Sequence, residues 1–451
     1  MGNSVNDMTV GSPTRDILRF ALPLIAGYIL QQLYMVIDAA IVGRFVGVGA
    51  LAAVGASSSI VFLVMGFANG CCAGFGIPVA QSFGAKRYEL MRSYVAVAIR
   101  LTALFAVVMT VVTSLLTTPI LRMVNTPADI FDDAYTFLLL QLLAIPFTMG
   151  YNLLASFIRA LGNSKTPFYV LISASLLNIV LDFIFIPFLG LGVFGVGLAT
   201  MTAQAFSTLL CWLYIRRRMT LLLGAPPSAL YGDVFRRLAS RLLYTGVPMG
   251  LQFSITGIGI IMLQSANNAL GTVYVAAFTA SMRVKYLFTC VFENIGVAMA
   301  TYCGQNIGAR QVERIALGIR SSVKMMLAYF VLTVAVIYPF ADQMMMLFVD
   351  SSETEIVSSA ALFMRICNYF YPVLGLLTIL RYSIQGMGRS DLSMLSGVME
   401  MLARTGVSLW LVPAWGFLGV IYGDPVAWVA ADLFLVPCML VLYRKLRQSV
   451  V

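Results

Sequence analysis

The chain has 451 residues, 60% of them hydrophobic and 11% charged, and a mean hydropathy of +0.91. So little charge cannot cover a water-soluble surface, and the composition implies a polytopic membrane protein embedded in a lipid bilayer. The net charge of +10 does not argue for a nucleic-acid partner, because Lys and Arg lie mostly in short gaps between apolar runs, where they set membrane orientation.

Twelve apolar segments are long enough to cross a bilayer of about 30 Å. They run over 16–43, 49–80, 93–118, 130–158, 166–189, 192–215, 240–268, 273–303, 315–347, 356–385, 391–413 and 417–443. The first fifteen residues are polar and the first apolar run is too long for a cleavable signal peptide, so that run is expected to remain as an anchor. Arg and Lys sort by loop parity. Arg15, Arg19, Lys86, Arg87, Lys165, Arg216 to Arg218, Arg310, Arg389 and Arg444 fall on one side, against mainly Arg44 and Arg122 on the other. Both termini are therefore expected in the cytoplasm.

A basic interruption containing Gly224, Pro226 and Pro227 divides the chain almost in half. The halves repeat each other. AQSFGAKR (Ala80 to Arg87) recurs as GQNIGARQ (Gly304 to Gln311), ALGNSK (Ala160 to Lys165) as GMGRSD (Gly386 to Asp391), and GVFGVG (Gly192 to Gly197) as GFLGV (Gly416 to Val420), at offsets of 224 to 226 residues. This is a parallel duplication of six helices. The expected fold is an all-α integral membrane protein of twelve transmembrane helices in two pseudo-symmetric six-helix bundles: 1–215, a cytoplasmic linker 216–240, and 241–451. Such halves usually enclose a cavity.

Within this hydrocarbon stand a few polar groups. Asn178 and Asp182, four residues apart, share one helix face in the fifth segment; Asp38 lies in the first and Thr200 in the sixth. A membrane carboxylate costs at least about 3 kcal/mol on insertion scales, so it is expected to face other helices or water. Asp38 precedes Arg44 by six residues, Asp182 precedes Gly190 by eight, and Thr200 follows Gly192 by eight. At 1.5 Å per residue all three fall roughly 9 to 12 Å below one surface. Two carboxylates, an amide oxygen and a hydroxyl are hard oxygen ligands suited to a proton or a small cation such as sodium. The alternative is that Asp182 pairs with Asn178 or a nearby backbone group as structural glue. The repeat offset sends Asp182 to Ser408, Asn178 to Arg404 and Asp38 to the vicinity of Leu263, so the second half lacks these acids.

The chain has no histidine, which excludes a Ser/His/Asp triad and a His-ligated metal. No P-loop lysine is present, so ATP does not drive it. Seven cysteines read as small hydrophobes. No catalytic constellation is visible, and neither an enzyme nor an organic cofactor is expected. Glycines such as Gly43 and Gly47, or Gly192, Gly195 and Gly197, read as helix-packing contacts.

PLIAGYILQQLYMVIDAAIVGRFVG at the start and ALGNSKTPFY leading into NIVLDFIFI, with the 6+6 duplication, resemble the multidrug and toxic compound extrusion (MATE) family over essentially the whole chain. Asp38, Asn178, Asp182 and Thr200 are similar to the cation site of its DinF-like branch. The resemblance implies a bacterial inner-membrane antiporter that exports small drug-like, mostly cationic compounds in exchange for H+ or Na+, as a monomer. It also implies cavity-facing roles for Gln31 and Tyr34, and a bending role for Pro23. The acids that the NorM-like branch carries in helices 7 and 10 are missing here. Asn152, Glu293 and Glu400 are further candidates for substrate contact, although Arg283, Lys285, Glu293, Glu400, Arg404 and Asp432 could simply pair among themselves. A lipid-linked precursor flippase of the same superfamily is the main alternative; such proteins tend to a strongly basic cavity, whereas the best-placed membrane charges here are acidic.

Overall fold

A computed structural model describes residues 5–123, 126–224 and 232–448, and among these all regular structure is helical. Every expected segment forms a helix. In chain order these are α1 (Pro13–Phe45), α2 (Val48–Gly84), α3 (Tyr88–Leu115), α4 (Phe131–Leu143 and Ile145–Ala160), α5 (Lys165–Phe183), α6 (Gly192–Arg218), α7 (Gly232–Asn268), α8 (Thr272–Gly308), α9 (Val312–Met345), α10 (Thr354–Tyr369 and Tyr371–Gly386), α11 (Ser390–Gly406) and α12 (Gly423–Gln448). Nine long helices could each span a membrane alone, and the bent pairs of α4 and α10 raise this to eleven among the described residues. The twelfth span is α11, which continues through a π turn (Val407–Leu411) into Val412–Trp415.

Four of these helices are irregular for a readable reason. The halves of α4 meet at 41° and those of α10 at 54°. In each case a proline, Pro146 or Pro372, opens the second half, where its missing N–H costs nothing. α5 runs into a π turn, Ile184–Phe188. Pro187 has no N–H to give the Phe183 carbonyl, and the chain instead closes an i to i−5 bond from Leu189 N–H to the Ile184 carbonyl at 3.0 Å. The π turn after α11 also has a proline near it, Pro413, two residues past its end.

The duplication extends to the backbone. Lys86 and Arg310, 224 residues apart, are the non-glycine residues with positive φ among the described residues, at 56° and 57°. Gly47 and Gly271 match at 116° and 105°, and Gly162 and Gly388 at 80° and 83°. Ser57 Oγ donates to the Ala134 carbonyl at 3.4 Å, and Ser281 Oγ to that of Ala360 at 3.2 Å.

By its contacts the chain forms two compact units, Met1–Asp7 with Pro23–Gly250, and Met8–Leu22 with Leu251–Val451. The start of α1 therefore counts with the second unit, and most of α7 with the first. The stretch read as a linker over 216–240 is largely ordered: α6 ends at Arg218, a 3-10 turn covers Thr220–Leu222, and α7 begins at Gly232. Arg92 Nε holds this stretch to α3 by donating to the Leu221 carbonyl at 3.1 Å. Pro226 and Pro227 lie outside the described residues.

Within the first unit, α2 and α7 touch backbone to backbone. A Cβ on Gly74 would sit 2.5 Å from Gly246 Cα, and one on Gly70 2.7 Å from Gly250 Cα. Both helices thus present glycines at i and i+4, the small-residue contact of membrane helices. Two glycines read as packing contacts act differently: Gly47 and Gly192 have φ of 116° and 53° and make turns. Gly197 does pack closely, with a Cβ there reaching 2.6 Å from Leu140 Cδ1.

Candidate functional site

The acids of the first unit meet. The Asp38 carboxyl on α1 lies within hydrogen-bond reach of the Asp182 carboxyl on α5. Asp182 is fully buried and Asn178, one turn earlier on the same face, is 2% exposed. Both carboxylate oxygens of Asp182, Asp38 Oδ1, and both polar atoms of Asn178 are buried without a donor or acceptor partner among the described residues. These facts agree once protons are counted. Two carboxylates are acceptors only, so they bond each other only around a shared proton or cation.

α6 supplies the third side. Thr200 Oγ1 donates to the Val196 carbonyl at 3.1 Å. The Tyr34 hydroxyl lies beside Thr200. Tyr34 stands one turn before Asp38 on α1 and lies close to both acids. Asp38, Asn178, Asp182 and Thr200 are thus on three helices around one place, and Tyr34 joins them. The reading of Asp182 as glue within its own helix finds no bond to support it.

Apolar packing beside these residues holds the helices at this spacing. Ile41 and Val42 of α1, Ile186 beyond α5, and Val193 and Val196 of α6 form one buried cluster with Ala50 and Phe137, against which Ile179 packs. Dispersion between such close-packed groups, with no water to displace, holds helices together in lipid. Phe45 and Phe183 add an edge-to-face ring contact at 6.1 Å between α1 and α5.

The other residues expected at a site are placed as follows. Gln31 is exposed on α1 and Pro23 lies inside that helix, which continues through it. Asn152 Nδ2 donates to the Thr148 carbonyl at 2.8 Å within its own helix. Arg283 is exposed.

The second unit holds a buried ion network instead. Lys285 pairs with Asp424, Arg404 Nε with Asp424 at 3.0 Å and Arg404 Nη2 with Glu400 at 3.2 Å, and Arg381 pairs with Glu400. Glu293 accepts from the Tyr382 hydroxyl at 3.1 Å. Asp432 is 7% exposed, and its carboxylate oxygens have no partner among the described residues. Of the six charges expected to pair among themselves, Glu400 and Arg404 do so, while Lys285 takes its partner, Asp424, from outside that set. Arg381 and Asp424 were missed from sequence, and both are needed to complete the chain of pairs. A lone Arg in a long apolar segment was the available signal for Arg381. Lys285, Glu293, Arg381, Glu400, Arg404 and Asp424 line a cavity of about 130 Å³.

Comparison with known proteins agrees with this architecture. The family model described as MatE matches twice, over residues 23–184 and 248–410, once per repeat. The chain is 28% identical over 359 residues to "Probable multidrug resistance protein YoeA" of Bacillus subtilis (strain 168), covering 79% of this chain and 78% of that protein. It is 26% identical to "Probable multidrug resistance protein YpnP" of the same organism, covering 90% of this chain and 88% of that protein. Among solved structures, "Crystal structure of MATE in the bent conformation" matches with a TM-score of 0.90 and 23% identity over 98% of each chain, and shares the fold.

Proposed function

The chain belongs to the MatE family, and from that premise we propose that it is a multidrug exporter driven by inward movement of H+ or Na+ through the Asp38 and Asp182 pair. One observation carries the coupling: two carboxyl groups within bonding reach of each other, flanked by a buried, unpartnered Asn178. Such a pair is poorly stable with both members ionised and no bridging cation. One shared proton or Na+ halves the charge of the pair and relieves the repulsion, and for Na+ the ligands would be carboxylate oxygens of Asp38 and Asp182, the Asn178 amide oxygen and Thr200 Oγ1.

A lipophilic cation and the coupling ion compete for the same negative charge. Each shifts the conformational equilibrium only by its differential affinity for the two states, and this competition provides the exchange in alternating access. The names of the relatives support drug export over the flippase alternative. The basic loops support a bacterial inner membrane orientation with both termini in the cytoplasm.

The test uses purified protein in proteoliposomes loaded with a fluorescent organic cation, with pH and sodium gradients imposed separately. Dye movement under one gradient, lost in Asp182→Asn, is the expected result and names the ion. Movement that persists in the variant would remove the coupling role, and none under either gradient would return the flippase reading.

A further inference from the structure

We propose that Asp432 holds a proton, which gives the second unit a protonation site of its own, separate from the Asp38 and Asp182 pair. Asp432 lies inside α12 and is 7% exposed, and both its carboxylate oxygens are buried with no donor among the described residues. The charged groups that face it are Arg381 of α10 and Glu400 of α11. Both are already committed. Arg381 pairs with Glu400 through Nη2 and donates from Nε to Ser396 Oγ at 3.1 Å, and Glu400 also holds Arg404 at 3.2 Å.

Counting charge leads to the same residue. Three cations stand here, Lys285, Arg381 and Arg404, with four acids, Glu293, Glu400, Asp424 and Asp432. With every group ionised the set carries one negative charge in excess, and a single proton brings it to neutrality. Glu400 and Asp424 are each held by two cations, and Glu293 accepts from the Tyr382 hydroxyl at 3.1 Å. Of the four acids, Asp432 is the one with no donor among the described residues. An ionised carboxylate buried without a donor costs far more than a neutral carboxyl, so the proton belongs on Asp432. A metal cation does not suit the place. It would stand beside the Arg381 guanidinium, and the facing carboxylate, Glu400, is spent on two arginines.

The repeat offset carries Asp432 back to Phe206, Ser207 and Thr208 of α6, where the first unit has no acid. The site is therefore not an image of the first one. Arg381 and Glu400 line the cavity of about 130 Å³. An ionised Asp432 competes with Glu400 for the guanidinium, so its proton sets the ion pairing of the cavity wall.

The test is spectroscopic and needs no transport, so it stands or falls apart from ion coupling in the first unit. Full-length protein carrying Asp38→Asn and Asp182→Asn, which lacks the first pair, is placed in lipid nanodiscs at neutral pH. Its infrared spectrum is compared with that of the same protein carrying Asp432→Asn as well. A protonated carboxyl has a carbonyl stretch apart from those of carboxylates and amides. That band should be present, should shift in D2O, and should be lost in Asp432→Asn. This change breaks no hydrogen bond the structure shows. If the variant nevertheless fails to fold, Asp432→Glu keeps the carboxyl and should displace the band. Absence of the band before Asp432 is altered, or a band that survives Asp432→Asn or stays in place in Asp432→Glu, would overturn the site.

Discussion

Asp38 and Asp182, on α1 and α5, bring their carboxyl groups within hydrogen-bond reach of each other in a part of the fold where Asp182 is wholly buried. An amide in place of either carboxylate removes the repulsion and supplies a donor, so Asp38→Asn and Asp182→Asn should fold with melting temperatures no lower than the parent. Gradient-driven dye export should nevertheless fall to background in both. Melting curves and transport on the same preparations check this pair of outcomes, and substantial export by either variant would count against coupling.

Tyr34 contributes a single hydroxyl beside Thr200 and the two acids. Tyr34→Phe keeps the ring and removes that polar partner, a change worth about 0.5–1.5 kcal/mol. Export should survive, with the coupling-ion concentration at half-maximal rate displaced by roughly 2- to 10-fold. Initial rates across a series of ion concentrations measure it.

In the second unit Asp424 serves both Lys285 and Arg404. Asp424→Asn strands the Lys285 ammonium in a buried place and should cost about 3–5 kcal/mol. The double change Lys285→Met with Asp424→Leu should cost clearly less, because Arg404 keeps Glu400. Thermal unfolding of the two variants gives the comparison.

The contact of α2 with α7 predicts its own sensitivity. Gly74→Ala pushes a methyl against Gly246 Cα at 2.5 Å, backbone that cannot swing aside, and should destabilise by about 1–3 kcal/mol. Gly55→Ala on the same helix is the control, since nothing lies within 4 Å of a Cβ there. Equal melting temperatures for the two would contradict the close crossing.

The spans and the repeat were legible because hydrocarbon admits little besides apolar helices, and because turn residues recur at a fixed offset. Depth counting from Arg44, Gly190 and Gly192 was enough to bring Asp38, Asp182 and Thr200 to one level. Whether they faced one another was a matter of helix rotation, which composition does not carry. The same limit hid Asp424, which lies near the start of the last span, and Arg381, whose partner Glu400 stands on another helix. Gly70, Gly74, Gly246 and Gly250 could not be matched across elements from spacing alone. Gly47 and Gly192 were misread because a turn glycine and a packing glycine look alike until φ is known.

The π turns at Ile184–Phe188 and Val407–Leu411 occupy matching places in the two repeats. Both repeats therefore break the α register at the same stage of the same span. The charged residues do not follow this symmetry. One copy has Asn178 and Asp182 ahead of the insertion, while the other has Arg404 and Ser408 at the corresponding positions. The two halves share the shape of this span and differ in the charges it carries.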